Sequence, residues 1–134
     1  MRPEPTVIYL DSSVVLAQLF AEDRVPPAAL AQGSLISSRL IEYEIWNRIH
    51  ARGFTHSHHD AATAFLDRVS LIELSPPILA RALKPFPIAV RTLDGLHLAT
   101  IEFLRAQSED IELVSYDRRL IAGAQALGIA LHAT

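Results

Sequence analysis

Short runs of apolar, β-prone residues alternate with longer amphipathic segments along the chain. Such runs are typical of buried strands, and we predict them at Val7–Leu10, Ser34–Ser37, Leu71–Ser75, Ile111–Ser115 and Ile129–His132. None of these runs is joined to the next by a hairpin turn signal. The order therefore predicts an α/β fold with a parallel or mostly parallel sheet and helices on both of its faces.

Helices are predicted between the strands, at about residues 14–20, 26–32, 39–52, 61–69, 76–83, 92–106 and 117–127. Their boundaries follow from turn and capping residues. Ser12 or Ser13 can cap the first helix, and Gly53 has the position of a helix C-terminal glycine. Ser57–Asp60 resembles a capping box, with Asp in place of the usual Glu. We see no internal repeat, linker or low-complexity segment.

Composition indicates one compact domain. The chain has 134 residues, of which half are hydrophobic and a fifth are charged. It has no cysteine, which excludes disulfides, thiolate nucleophiles and cysteine-ligated zinc. No apolar run approaches the ~18–20 residues that span a bilayer, and the first segment is not a secretory signal. We therefore expect a cytoplasmic protein that is not bound to a membrane.

The net charge of −3 at first argues against a nucleic-acid partner. However, Lys84 is the only lysine among the 12 basic residues, and arginine is the better ligand for phosphate. If four acids share a metal-filled pocket, removing their charges from −3 leaves +1 on the rest of the chain. The overall charge is thus compatible with RNA binding.

Three acids occupy strand ends or helix starts. Asp11 directly follows the first predicted strand, Asp117 lies two residues after the fourth, and Asp94 is in the first turn of the long helix. For each of them alone, the preferred interpretation is a helix N-terminal aspartate, which the helix dipole favours. Together they predict a site, because ligands of parallel sheets bind at the carboxyl ends of the strands.

Several carboxylates in one pocket repel one another unless a cation is bound. Oxygen ligands of this kind suit Mg²⁺ or Mn²⁺. Two such ions can activate a water molecule and stabilise the leaving oxygen in the hydrolysis of a phosphodiester.

Four segments resemble the PIN-domain ribonucleases, in particular the VapC-type toxins of bacterial toxin–antitoxin (VapBC) pairs. They are YLDSSVVLAQLF, SSRLIEYEIWNRI, RTLDGLHLATIEFL and VSYDRRLIAGAQALGI, in the order and spacing of the family. The most specific matches are Leu93–Ala99 and Ser115–Asp117. Gly95 departs from the family pattern, which usually has alanine there.

The resemblance implies a three-layer α/β/α sandwich with a five-stranded parallel sheet. It also implies an endoribonuclease that depends on Mg²⁺ or Mn²⁺ and cleaves RNA with metal-activated water. The implied partners are RNA, a cognate VapB-type antitoxin that occludes the site, and a second copy of the toxin. The implied metal-binding and catalytic acids are Asp11, Glu44, Asp94 and Asp117, with Ser13 and Ser115 as supporting hydroxyls.

Glu42 is an alternative to Glu44. On a helical wheel Glu42 falls inside the apolar arc, whereas Glu44 falls roughly 60° outside it, so periodicity does not select Glu44. The family register does, because a serine pair precedes the catalytic glutamate, as Ser37 and Ser38 precede Glu44. We choose Glu44 and keep Glu42 as the alternative.

Three further residues near the predicted site have two interpretations each. Arg118 and Arg119 follow Asp117 and are predicted phosphate contacts, although a solvated helix face explains them equally well. His97 lies among apolar residues near Asp94. We interpret it as a packed, hydrogen-bonded histidine rather than a general base.

Other α/β proteins with an acid after the first strand fit less well. A receiver domain needs a lysine after a late strand, but Lys84 lies in a proline-rich loop. A phosphatase of the haloacid-dehalogenase type needs an aspartate where Ser13 stands. A dinucleotide-binding domain needs a glycine-rich turn, and no glycine precedes Gly33. The non-enzymatic alternative is an inactive PIN-like module that binds RNA or protein.

Overall fold

The computed structural model describes residues 6–21, 27, 30–31, 34–107 and 110–133. Within these residues, five strands form one parallel sheet in the order β3-β2-β1-β4-β5. The strands are β1 (Val7–Leu10), β2 (Ser34–Ser38), β3 (Val69–Ile72), β4 (Ile111–Val114) and β5 (Ala130–Leu131). The predicted parallel sheet and all five predicted strands are confirmed.

Six α-helices connect the strands in the described part of the chain. They are α1 (Ser12–Leu19), α2 (Leu40–Ala51), α3 (His59–Leu66), α4 (Pro76–Ala82), α5 (Thr92–Ala106) and α6 (Arg118–Ala126). Helices α1, α2 and α3 contribute to one hydrophobic core, and α5 and α6 contribute to a second. None of the helices in the described ranges is long and apolar enough to cross a membrane.

The central strand β1 separates the two cores. Ile8 and Leu10 belong to the first core, whereas Tyr9 belongs to the second, because successive side chains of a strand point to opposite faces. All three are at most 3% exposed, so both faces of β1 are covered. The chain therefore forms the α/β/α sandwich that the resemblance implied.

The strand order reverses direction between β1 and β4. From β1 the chain first moves outward through β2 and β3, and it then returns to place β4 on the other side of β1. The loops that leave β1 and β4 consequently diverge and open a crevice at the carboxyl ends of these strands. Such switch points are where parallel sheets bind ligands.

The third strand differs from its predicted bounds. Val69 was assigned to a helix, but it begins β3 and pairs with Leu35 of β2. Its buried, β-branched side chain packs in the first core, an environment that favours a strand. The strand ends at Ile72 rather than Ser75, because the chain must turn before Pro76, where α4 begins.

Two predicted helix caps are wrong. The cap of α1 is Asp11, whose carboxylate accepts a hydrogen bond from the Ser13 N–H, so neither Ser12 nor Ser13 caps this helix. The cap of α3 is His58, which makes no capping side-chain hydrogen bond. The Ser57 hydroxyl instead lies 2.8 Å from Nδ1 of His58. The helix predicted at residues 26–32 falls mostly outside the described residues.

Gly95 weakens α5 without a steric need for glycine. A Cβ atom there would lie 3.4 Å from Cε2 of Phe86 and 3.5 Å from Cγ2 of Val90, which is ordinary van der Waals contact. We predict that Gly95→Ala raises the free energy of unfolding by roughly 0.5–1 kcal/mol, because alanine has the higher helix propensity. Urea denaturation measures this difference.

Gly123 of α6 provides the matched control. A Cβ atom there would lie only 2.8 Å from Cδ1 of Leu98, a fully buried side chain. Gly123→Ala should therefore leave the free energy of unfolding unchanged or lower it. A Gly95→Ala protein less stable than wild type would contradict the prediction.

Candidate active site at the carboxyl ends of β1 and β4

All four predicted acids line one cleft of about 660 Å³ at the switch point. Asp11 follows β1, Glu44 is on α2, Asp94 is in the first turn of α5, and Asp117 lies between β4 and α6. Two helices and two strand ends thus bring together carboxylates that are far apart in the sequence. The structure places every predicted acid in the same cleft.

Asp11 is held by two hydroxyls. Oδ2 of Asp11 accepts hydrogen bonds from the Ser13 hydroxyl at 2.5 Å and from the Ser115 hydroxyl at 2.8 Å. The Ser13 N–H donates to the same oxygen at 3.4 Å. These three contacts all involve Oδ2 of Asp11, and Oδ1 takes part in none of them. The predicted supporting hydroxyls, Ser13 and Ser115, therefore contact the predicted acid.

The same hydroxyls tie Asp11 to the loop after β4. The Tyr116 N–H donates to the Ser13 hydroxyl at 3.0 Å, and the Asp117 N–H donates to the Ser115 hydroxyl at 2.9 Å. The ends of β1 and β4 are thereby joined through side chains beyond the last backbone pairing of the two strands.

The environment of Asp11 disfavours its charged form. Burial raises the pKa of Asp11, and the Ser13 and Ser115 hydrogen bonds only partly offset this effect. Nearby Glu44 raises the pKa further because the two carboxylates repel each other. The charge of nearby His97 opposes this effect without cancelling it, so ionisation of the buried Asp11 carboxyl costs free energy.

Glu44 is positioned by His97. Nε2 of His97 donates a hydrogen bond to Oε1 of Glu44 at 2.6 Å, since an ionised carboxylate can only accept. Nδ1 of His97 lies 2.7 Å from the hydroxyl of Tyr9, and both His97 and Tyr9 are buried. His97 is the packed, hydrogen-bonded histidine that we predicted, but it contacts Glu44 rather than Asp94.

Opposing effects act on the protonation of His97. Burial lowers the pKa of His97, but the hydrogen bond from His97 to Glu44 and the charges of Glu44, Asp11 and Asp94 raise it by more in total. Tyr9 remains protonated, because burial raises the pKa of its hydroxyl well above the usual range. A buried hydrogen-bonded chain therefore runs from β1 through α5 to Glu44.

Glu42 lies outside the cleft. Its carboxylate forms an ion pair with Arg39 at 2.7 Å, and its side chain is 37% exposed, compared with 17% for Glu44. The geometry thus favours Glu44, in agreement with the family register. The helical wheel could not distinguish them, because the polar cleft lies beside the apolar face of α2 and not opposite to it.

Arg91 joins the remaining two acids. Its Nε donates to Oδ2 of Asp94 at 2.9 Å, and its Nη2 donates to Oδ2 of Asp117 at 2.7 Å. Oδ1 of Asp117 also caps α6 by accepting hydrogen bonds from the Arg119 and Leu120 N–H groups. Sequence reasoning missed Arg91, although its position three residues before Asp94 at a helix start could have indicated this contact.

The cleft contains arginines other than the predicted ones. Arg48 and Arg91 line it, together with the exposed aromatic side chain of Tyr43. Arg118 and Arg119 are exposed and are not part of this lining. Their predicted contacts with phosphate stay a prediction that concerns the surface beside the cleft.

The donor set fits a hard divalent cation. One ligand atom from each of Asp11, Glu44 and His97 lies within 4.8 Å of the other two. Both nitrogens of His97 already contact Glu44 and Tyr9, which leaves the carboxylates as donors. With Asp94 and Asp117, the cleft offers oxygen ligands, which Mg²⁺ and Mn²⁺ prefer.

The family model for the PIN domain matches residues 8–125. The chain belongs to the PIN-domain family. The matched range contains all four acids of the cleft, so the resemblance in the four sequence segments is confirmed over nearly the whole domain.

Curated relatives of this PIN domain come from Mycobacterium tuberculosis. Ribonuclease VapC35 is 31% identical over an alignment of 132 positions that covers 93% of this chain and 95% of the relative. Ribonuclease VapC46 is 30% identical, and the alignment covers 92% of this chain and 95% of the relative. Ribonuclease VapC47 is 26% identical, and the alignment covers 91% of this chain and 93% of the relative. The similarity therefore extends over most of the length of each protein.

A solved structure has the same fold. A chain of a toxin–antitoxin complex from Klebsiella pneumoniae superposes with a TM-score of 0.63 at 18% identity, covering 89% of this PIN domain and 93% of that chain. At this low identity the comparison establishes the shared architecture.

We predict that Asp11→Asn stabilises the metal-free protein at neutral pH, by roughly 0.5–2 kcal/mol. Asparagine removes the buried charge and can still accept from Ser13 and Ser115. The gain should shrink as the pH falls, because the raised pKa lets the wild-type carboxyl bind a proton in the folded state first. Urea denaturation in chelator at a series of pH values measures this.

The control is Asp67→Asn, which changes an exposed aspartate. Its effect on the free energy of unfolding should stay within about 0.5 kcal/mol. An Asp11→Asn protein that is less stable than wild type at neutral pH would show that Asp11 does not carry the proposed electrostatic cost.

Proposed function

We propose that this PIN domain is a metal-dependent endoribonuclease and the toxin of a toxin–antitoxin pair. The observation that carries the proposal is the convergence of four carboxylates in one cleft at the switch point of the sheet. The relatives named Ribonuclease VapC support the ribonuclease activity. The family and these names together support the role as a toxin.

We assign metal binding to Asp11, Glu44, Asp94 and Asp117. Bound Mg²⁺ or Mn²⁺ would supply an activated water and stabilise the leaving oxygen of the phosphodiester. The protein's part is to hold the carboxylates in place before RNA binds. Pre-organisation of this kind lowers the cost of assembling charge during the reaction.

The supporting residues act through the carboxylates. Ser13 and Ser115 orient Asp11 by binding Oδ2, which leaves Oδ1 for a cation. His97 holds Glu44 with a hydrogen bond of 2.6 Å and is itself held by Tyr9. Ser13, Ser115, His97 and Tyr9 are therefore positioning residues. Replacing such a partner of a metal ligand typically lowers metal affinity or activity by about 10–100-fold.

RNA would enter from the exposed side of the cleft. Tyr43, which is 62% exposed, lies at this opening and offers a surface on which an unpaired base can stack. Arg48 in the same lining offers a phosphate contact. These features favour single-stranded RNA as the substrate class. Arg118 and Arg119 would extend the phosphate contacts beyond the cleft.

We further propose a VapB-type antitoxin, a second copy of this chain as partner, and a cytoplasmic location. The antitoxin follows from the VapC names of the relatives, and the toxin–antitoxin complex supports it through its fold alone. The homodimer, the location and the single-domain organisation stay predictions from the sequence. An inactive binding module fits less well, because such a module would not need four repelling carboxylates.

Replacement of Glu44 and Glu42 tests the assignment of the site. We predict that Glu44→Gln lowers the rate of RNA cleavage in Mn²⁺ by about 100-fold or more, since it removes a metal ligand and not only a partner of one. Asp94→Asn should have a similar effect. Cleavage of total RNA in vitro, and growth after induction in cells, provide the measurements.

Glu42→Gln is the matched control on the same helix. It removes only an exposed ion pair with Arg39, which is worth at most about 1 kcal/mol, so cleavage should stay within about twofold of wild type. Circular dichroism of each variant checks the fold. Full activity of Glu44→Gln, or loss of activity in Glu42→Gln alone, would refute the assignment.

A further inference from the structure

Arg91 occupies the acidic cleft as a cation of the protein itself. Its guanidinium contacts Asp94 at 2.9 Å and Asp117 at 2.7 Å, and its side chain is 50% exposed. Asp94 and Asp117 are two of the four carboxylates that we assign to metal binding. Arginine and a divalent cation therefore need the same ligands.

The oxygens of Asp117 make this competition direct. Oδ1 accepts hydrogen bonds from the backbone N–H groups of Arg119 and Leu120, which begin α6. Oδ2 accepts from Nη2 of Arg91 at 2.7 Å. A cation that binds Oδ2 would lie beside the positive guanidinium of Arg91, and one that binds Oδ1 would lie beside the N–H groups of the helix cap. Both neighbours oppose a cation, so it binds more favourably when one of them moves away. Displacing Arg91 is the less costly route, because an exposed ion pair contributes little.

The position of Arg91 is unfavourable without its two acids. It is the N-cap residue of α5, and its guanidinium also reaches the residue that caps α6. The positive ends of both helix dipoles lie here and repel a cation, whereas they attract an anion such as phosphate. Since the Arg91 side chain is half exposed, it can leave without opening the core.

We propose that Arg91 is an exchangeable cation: it neutralises Asp94 and Asp117 in the metal-free protein, yields them to a divalent cation, and then contacts RNA phosphate. The inference rests on the metal site of the proposed function. Arg91 stabilises the cleft before metal binds and lowers the affinity for metal by the same interaction. In the loaded cleft its guanidinium becomes a substrate contact with the geometry that phosphate favours.

Isothermal titration with MnCl₂ in the absence of RNA tests the exchange. We expect Arg91→Gln to bind Mn²⁺ about 3- to 10-fold more tightly than wild type, because the guanidinium no longer competes for Asp94 and Asp117. Arg91→Lys keeps the charge and should bind Mn²⁺ close to wild type. Circular dichroism checks that each variant is folded.

Arg48→Gln is the control for long-range charge. Arg48 lines the same cleft, so its replacement changes the charge of the cleft equally without removing the Arg91 ion pairs. We expect its Mn²⁺ affinity to change less than twofold. Equal or weaker Mn²⁺ binding by Arg91→Gln, or an equal gain in Arg48→Gln, would overturn the exchange.

Steady-state cleavage at saturating Mn²⁺ tests the substrate contact. We expect the KM of Arg91→Gln for RNA to rise about 3- to 10-fold, with a smaller change in kcat. An unchanged KM would overturn the phosphate contact. The titration contains no RNA, so it can support the exchange even if the chain does not cleave RNA. Absence of Mn²⁺ binding by wild type would overturn both the exchange and the proposed metal site.

Discussion

The convergence of four carboxylates in one cleft, two of which (Asp11 and Glu44) repel each other, is the constraint on which this site depends. Each acid has a donor that opposes the repulsion: hydroxyls for Asp11, a buried imidazole for Glu44, and one guanidinium shared by Asp94 and Asp117. The helix starts at Asp11 and Asp117 add the positive ends of two dipoles. Burial still raises the pKa of Asp11, so its hydrogen bonds do not fully offset the cost of burying its charge.

The fold supplies this arrangement through its switch point and its two cores. β1 ends at Leu10 in the first core, so Asp11 emerges where α1 begins. Tyr9 points into the second core, where it meets His97 of α5. The core that stabilises the sandwich therefore also positions Glu44, through the hydrogen bonds that link Tyr9, His97 and Glu44.

Local patterns in the sequence predicted much of this, and the remainder depends on contacts between distant segments. Asp11 and Asp117 were predicted from strand ends, and α5 has the predicted bounds. Val69 was predicted to lie in a helix but begins β3, because its pairing with the distant Leu35 leaves no signal in the local sequence pattern. The helical wheel left Glu44 ambiguous, because the cleft lies beside the apolar face of α2 and its partner His97 is 53 residues away. Arg91 was missed, because its contact with Asp117 joins residues 26 positions apart. Asp11 and Asp117 also cap helices, so the structural interpretation is confirmed for these two residues, and it is compatible with the proposed role in metal binding.

Cleavage of RNA by metal-stripped protein, followed as Mn²⁺ is added back, tests the central claim most directly. We expect no cleavage in EDTA and a saturable recovery with free Mn²⁺, because carboxylates alone cannot activate water for phosphodiester hydrolysis at a useful rate. Cleavage at an undiminished rate in EDTA, by protein shown to be free of metal, would contradict it.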